Sequence, residues 1–475
     1  MATGADIPNE VLTDIAAYIH PGDVVNFART CKRFHDVAGL ALQRHRLYQK
    51  RFGVITSFPA TYTSCMAFNA DFKPGKQMIH LAGNLFNLYD DPRKAAYVRR
   101  MVIGALRQSP TDAHSTDQNI LQSMQRLIGH ILGPTFQQRM LPSGMNMIRK
   151  HDSTAIMGLL LCLVPNLEVL QWRGDALGCN IEPIRTVLHC VKKKPELKLL
   201  SNLKTLDLQT PRITKGLSVS CKLIDSFMQL PSLKTLILGE VCEPSRNRKK
   251  THQKKRTSNV TDLQFISNCF LDEEYCWELE NILSMTKQLK ECHFIGPRWV
   301  DPTREPRRVF HTGYLARLLL PHARYSLESL SIRSPTNEAL PISTLKGFDN
   351  LKSLEVDYRM LFFEGCGTGK EIRREILPLS LHSLGLRGFE REEHSSMRYM
   401  PKVKEMLGMK GQLPRINELT MQLSDDGDGP GQHDVFMEAH KGADDMEAFC
   451  KERGTKFRAF FALDRQWTAL DSVKI

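Results

Sequence analysis

Along most of the chain the apolar residues fall into one short phrase: an apolar residue, two others, an apolar residue, one other, and an apolar residue again. It stands at Leu167-Leu170-Trp172, Leu203-Leu206-Leu208, Leu233-Leu236-Leu238 and Val260-Leu263-Phe265. It returns at Leu289-Cys292-Phe294, Leu327-Leu330-Ile332, Leu351-Leu354-Val356, Leu381-Leu384-Leu386 and Ile416-Leu419-Met421, with a weaker copy at Val98-Met101-Ile103. From Leu167 onward, successive copies begin 36, 30, 27, 29, 38, 24, 30 and 35 residues apart. The alternation within each phrase predicts a short strand, and the recurrence predicts stacked units that share one core, because no unit can bury its own leucines. About twenty connecting residues per unit leave room for a helix on the return path. An irregular α/β domain with a mixed sheet is the competing fold. Near the end, Asp434 to Arg453 reads as a helix and Lys456 to Ala462 as a last strand or cap.

The first residues follow a different period. Residues 6 to 46 read as three short helices. Pro8 suits a first helical turn, and Val11, Leu12, Ile15 and Ile19 recur at helical spacing. His20-Pro21-Gly22 breaks the pattern, Asp23 is a candidate N-cap, and Val24, Val25 and Phe27 lie on the second helix. Cys31, Phe34, Val37 and Leu40 carry the apolar stripe into the third. Some forty residues bury too little surface to be stable alone, so another surface must complete this module. Periodicity leaves open whether that surface is the rest of the chain or a partner.

The order of residues adds a resemblance. IPNEVLTDIAAYIHPGDVVNFARTCKRFHDVA is similar to an F-box: an apolar-Pro-x-Glu start, an apolar pair, Ile, a Pro-x-Asp turn, and a closing Cys-Lys-Arg-aromatic. Ile7 stands where the family usually has Leu, and Phe34 where many members have Trp. The resemblance implies docking of apolar helix anchors into a groove on the Skp adaptor, and through it onto a cullin scaffold. By position, Ile7, Pro8, Val11, Leu12, Ile15, Val24, Phe27 and Cys31 would carry that contact. With the repeated phrases, the chain resembles F-box/leucine-rich-repeat proteins, in a style common among fungal examples. The asparagine usual in the family's repeat loop is mostly missing here. The expected organisation is an F-box at 1–50, a connector at 51–94, a repeat solenoid at 95–463 and a tail at 464–475. In that solenoid parallel strands line a concave face and helices the convex one. The resemblance implies a substrate receptor of a ubiquitin ligase, itself without catalysis or cofactor, that binds a protein target. An F-box protein acting outside ubiquitination is a further reading.

Composition and charge refine this reading. Hydrophobic residues make up 41% and charged residues 25%, a folded and soluble balance. The longest apolar run, Ala155 to Val164, has ten residues, half of what a membrane span needs. With no secretory pattern at the start, the cytoplasm or nucleus is the expected location. Twelve scattered cysteines form no CxxC pair and read as buried thiols, not as a metal site. The formal charge is +13, but seven Lys or Arg and no acid lie between Arg246 and Arg256. That basic insert (243–259) is a candidate nuclear import signal carried by Arg248, Lys249, Lys250, Lys254, Lys255 and Arg256, or else a solvated loop. A nuclear scaffold or nucleic-acid-associated protein is the alternative it keeps open, although no aromatic residues interleave to stack on bases.

The side chains alternating with the phrase's apolar positions would face the concave surface. Their charged members include more acids than arginines, which disfavours nucleic acid there and favours a basic protein ligand near Asp207, Glu291, Glu355 and Asp357. Gly365 to Lys370 lacks the spacing of a phosphate-binding loop, and Asp425 to Gly429 lacks the ligands of a calcium loop.

Overall fold

The computed structural model describes residues 7–56, 74–104, 153–173, 182–209, 221–239, 256–266, 276–296, 312–333, 342, 344–362, 377–387, 395–408, 415–425 and 432–463. The chain divides into two compact units, Met1–Leu217 with Leu230–Leu233, and Ser218–Gln229 with Lys234–Ile475.

The first unit opens with helices α1 (Asn9–Tyr18), α2 (Val24–Thr30), α3 (Lys32–Val37) and α4 (Gly39–Phe52). Four helices replace the expected three, because the stretch expected as the third is divided at Ala38 (φ −77°, ψ −2°), whose N–H turns back to Phe34 O and Asp36 O between α3 and α4. Strand β1 (Val54–Thr56) follows, then α5 (Pro74–Asp90), α6 (Pro92–Tyr97), β2 (Arg100–Ile103), α7 (Ser153–Leu163), β3 (Val169–Arg173), α8 (Glu182–Lys193) and β4 (Thr205–Gln209). The four strands pair in parallel and in sequence order, with Ile55, Met101, Leu170 and Leu206 on one row. Strand β1 lies inside the stretch expected as a connector, so pairing begins at Val54. Three residues are too few to display the full phrase. Helix α7 contains most of the ten-residue apolar run, and Ile156, Met157, Leu160 and Leu161 are buried. Among the described residues no helix is long and apolar enough to cross a membrane.

The second unit runs α9 (Cys221–Met228), β5 (Thr235–Gly239), β6 (Asp262–Ile266), α10 (Cys276–Met285), β7 (Glu291–Ile295), α11 (Thr312–Ala323) and β8 (Ser329–Arg333). It continues with β9 (Ser353–Asp357), α12 (Tyr358–Leu361), β10 (Ser383–Arg387), α13 (Ser395–Gly408), β11 (Glu418–Asp425), α14 (Gln432–Glu452) and β12 (Lys456–Leu463). All eight strands are parallel and ordered as in sequence. Leu236, Leu263, Cys292, Leu330, Leu354, Leu384, Leu419 and Phe457 share one row. The next inward row includes Phe265 and Phe294, whose rings lie 5.3 Å apart.

Every apolar position of every phrase from Val98 to Met421 is buried. Parallel strands need a covered face, and the return helices supply it in most intervals. The convex side is not helical throughout, however. The copies at Leu327 and Leu351 are only 24 residues apart, and 344–352 form turns with no helix. After β9 the return begins with α12, a helix of four residues.

A second periodic feature lies at the N-terminal edge of the strands. The residue before each phrase is repeatedly a small polar one whose side chain ties one turn of the array to the previous one. Asn166 Nδ2 donates to Ala96 O (2.9 Å), Asn202 Nδ2 to Pro165 O (3.1 Å) and Ser232 Oγ to Leu200 O (3.1 Å). In the second unit Asn350 donates to Tyr325 O and Ser380 Oγ to Leu351 O (2.9 Å). These bonds add side-chain partners to carbonyls at the turns, and Leu200 O, which also accepts from Leu203 N at 3.1 Å, takes two.

Candidate adaptor-docking module and open sheet face

The N-terminal module is held by a small core, with Ala16, Ala28 and Ala38 buried and Phe27, Ala41 and Leu42 packed around them. Pro8 sits at the N-cap of α1 (φ −55°, ψ 148°), where its carbonyl accepts from Leu12 N at 3.1 Å. Asp23 precedes α2 as expected, but its side chain makes no capping hydrogen bond. Its carbonyl accepts from Phe27 N at 2.8 Å instead. Arg33 donates through Nε to Asn9 Oδ1 (2.9 Å) and through Nη2 to the Ile7 carbonyl, which ties α3 back to the start of α1. This explains the arginine of the Cys-Lys-Arg-aromatic run. Phe34 stacks on Phe27 with centroids 4.7 Å apart and planes 16° from parallel.

The expected anchors separate into two groups. Pro8, Val11, Ile15 and Cys31 are exposed, with Val11 and Ile15 at 45% and 42%. Leu12 and Val24 are buried within the module, and Ile7 and Phe27 are half-buried. Leu12 and Val24 therefore support the surface from beneath. Tyr18, at 79% exposed, extends the 11–15 spacing by three residues, and Leu40 and Leu47 are exposed seven apart on α4. The sequence carried those spacings, but only the fold shows that these positions stay uncovered.

Helix α4 joins this module to the strands of the same unit. His45 Nδ1 lies 3.0 Å from Tyr97 Oη, Tyr48 packs edge-on against Tyr97 (5.7 Å) and Phe52 (5.4 Å), and Arg93 Nη1 donates to Ala17 O at 2.9 Å. Burial holds the His45 imidazole below its usual pKa, with Arg46 adding to the effect, and raises the Tyr97 phenol.

On the open sheet face, opposite the leucine rows, the four acids expected to meet a basic ligand differ sharply. Asp207 is 2% exposed and accepts from Gln171 Nε2 (3.0 Å), while Gln171 Oε1 accepts from Arg100 Nη2 (2.7 Å). Glu355 accepts from Ser331 Oγ (3.1 Å) and pairs with Arg333 (3.5 Å) and Arg387. Gly385 lies against this cluster, and a Cβ there would come within 3.1 Å of Glu355 Cγ. Asp357 is buried and holds up the pKa of Arg333 against burial, the larger and opposing effect. Of the four, only Glu291 is well exposed. In the first unit β2 brings Arg100 to the open face, and in the second β12 brings Lys456 and Arg458, the latter pairing with Glu418 at 3.2 Å. Each unit thus carries open-face cations beyond those of the nine main phrases.

The thiols of Cys162, Cys190, Cys292 and Cys450 are buried, as expected, while Cys31 is exposed. Burial pushes Cys162 up to about 12 and Cys190 to about 11, which makes them inert. Of the candidate import residues, Arg248, Lys249, Lys250, Lys254 and Lys255 lie outside the described residues. Arg256 is exposed and its Nη2 donates to Pro321 O at 3.4 Å. The glycine-rich stretch from Gly365 to Lys370 also lies outside them.

No curated protein matches this chain. Residues 5–50 match the family described as F-box-like. The chain thus carries an F-box-like domain, made of α1 to α4 and followed by ordered parallel strands.

Proposed function

We propose that this chain is the non-catalytic, target-selecting subunit of a Skp–cullin–F-box ubiquitin ligase. The F-box-like domain docks on the Skp adaptor through the exposed stripe of Pro8, Val11, Ile15 and Tyr18. The parallel-strand units form a leucine-rich-repeat surface that holds a protein target. Catalysis belongs to the conjugating enzyme brought by the cullin. The receptor raises the local concentration of target lysines near that enzyme, and no reacting group of its own is needed.

The observation that carries this reading is the conjunction at α1. The segment matching the F-box-like family leaves apolar side chains at 11, 15 and 18 uncovered, on a helix whose other face is already satisfied. Apolar helix anchors of that kind are completed by a groove on another protein. The packing of α4 against Tyr97 and β1 favours transmission of position from the docked domain to the first strands.

The test is co-expression of the full chain with the Skp adaptor, followed by gel filtration. Wild type should elute with the adaptor, and Val11→Asp/Ile15→Asp should elute alone with an unchanged melting temperature. Folded wild type that ignores the adaptor would remove the proposal.

A further inference from the structure

Most open-face carboxylates of the second unit already have a cation: Glu355 has Arg333 and Arg387, and Glu418 has Arg458. Asp262 and Glu291 differ. They are register partners on β6 and β7, so two carboxylates stand opposite each other on one face. Like charges placed directly across neighbouring strands are destabilising. Among the described residues neither makes an ion pair with Lys or Arg. Their neighbour is His293, two residues beyond Glu291 on the same face, with Nε2 3.8 Å from Glu291 Oε2. One ligand atom from each of Asp262, Glu291 and His293 lies within 4.8 Å of the other two. Gln264, the register partner of His293, donates from Nε2 to both Asp262 oxygens (3.0 and 3.3 Å). The Thr235 side chain also hydrogen-bonds Asp262.

The geometry points to a binding site for a divalent transition cation of the zinc class, held by Asp262, Glu291 and His293. A tetrahedral ion of this kind sits roughly 2.0–2.2 Å from its ligands, which places them about 3.3–3.6 Å apart. The present spacing needs a contraction of at most roughly 1.5 Å. Glu291, with a side chain 55% exposed, has the freedom to supply it. One imidazole with two carboxylates suits zinc better than calcium, which takes oxygen ligands alone. Three protein ligands would leave a fourth position of a tetrahedral ion for an exogenous ligand. Gln264 plays the outer role of orienting a ligand carboxylate. A bound cation would also cancel the repulsion across the β6–β7 pair. The site does not depend on adaptor docking.

The test uses the full chain on a histidine-free tag. Zinc is titrated in competition with a chromophoric chelator, and cobalt is followed by visible absorption. Wild type should take up one more equivalent than either Asp262→Asn/Glu291→Gln or His293→Ala. The cobalt spectrum of that equivalent should lack a thiolate charge-transfer band, which separates it from binding by cysteines. Gln264→Ala should keep the equivalent but bind it about tenfold more weakly. Zinc should raise the melting temperature of wild type and leave the double variant unmoved. Equal stoichiometry in wild type and both folded variants overturns the site, as does a thiolate band in the lost equivalent. Zinc without effect on wild-type melting overturns it too.

Discussion

The docking proposal makes a quantitative demand on two neighbouring residues that a helical plot would treat alike. Val11 and Ile15 are 45% and 42% exposed, whereas Leu12, between them in sequence, is 1% exposed. Fully burying a side chain of this size contributes about 1.5–3 kcal/mol. Covering the exposed part of Val11 or Ile15 on docking should therefore contribute about 1 kcal/mol each. Val11→Ala/Ile15→Ala should thus lose about 2 kcal/mol of adaptor affinity, roughly thirtyfold in Kd. Its unfolding midpoint should stay near that of wild type, since surface substitutions usually act within about 0.5 kcal/mol. Leu12→Ala should do the reverse. It leaves a cavity beneath α1 and should cost about 2–5 kcal/mol of stability in the first unit. It should weaken binding only as far as it unfolds the module. Titration calorimetry with purified adaptor gives the first quantity and denaturant unfolding the second. A double alanine variant that binds within about threefold of wild type would refute the reasoning, because the exposed stripe would then contribute almost nothing.

The same logic extends to the strands and the joint. Leu354→Ala, at a fully buried row position, should destabilise the second unit by about 2–5 kcal/mol, whereas Ser353→Ala beside it should stay within about 0.5 kcal/mol. Equal losses in denaturant melts would mean that the rows do not face the core as described. Asn202→Ala removes bonds to Pro165 O and Asn166 Oδ1 and should cost about 1 kcal/mol, with no change in far-ultraviolet circular dichroism. His45 gives a pH signature. Burial lowers its folded pKa, while the unfolded chain titrates near 6.5, so the unfolded state binds more protons in the window just below that value. This contribution to stability should be present above about pH 6.5 and be lost as pH falls toward the folded pKa. His45→Gln should flatten that slope in melts recorded across the window, and an unchanged slope would assign the titration elsewhere.

How much of this was legible in the sequence depended on whether a feature is fixed by one chain segment or by two. Burial of Leu354 or Trp172 follows from its own phrase, since a strand in a covered parallel sheet must bury alternate residues wherever the neighbours fall. Irregular spacing did not obscure it, because the intervals change the return path and leave the strand alone. In the short interval before Leu351 residues 344–352 form turns, which is a matter of chain length. The charge of the open face is not fixed by one segment. It depends on strands with poor phrases, β2 and β12, and on pairs such as Arg100 with Gln171 and Arg458 with Glu418, whose partners lie in different repeats. The polar residues before the phrases are visible as Asn166, Asn202, Ser232, Asn350 and Ser380, but the carbonyls they reach lie in the preceding turn, which no single segment specifies.

The divided fate of the four acids sharpens this point into a physical rule for the molecule. Asp207, Glu355 and Asp357 are held by amide or guanidinium groups one strand away, so their charges stabilise the array and are poorly placed to meet a ligand. Glu291 escapes because the residue opposite it, Asp262, is also an acid. In a stack of parallel strands the register that satisfies one open-face charge thus decides which others stay available. In the cation-free chain, recognition on this face should therefore centre on β6 and β7, where the register sets two carboxylates opposite each other, and not on the more numerous charges of β8 to β10. Charge reversal at Glu291 should then weaken target capture more than charge reversal at Glu418, which would only exchange one internal pair for a repulsion with Arg458 relieved in solvent. Equal effects in a capture assay with folded variants would show that the two positions are not distinguished by their pairing.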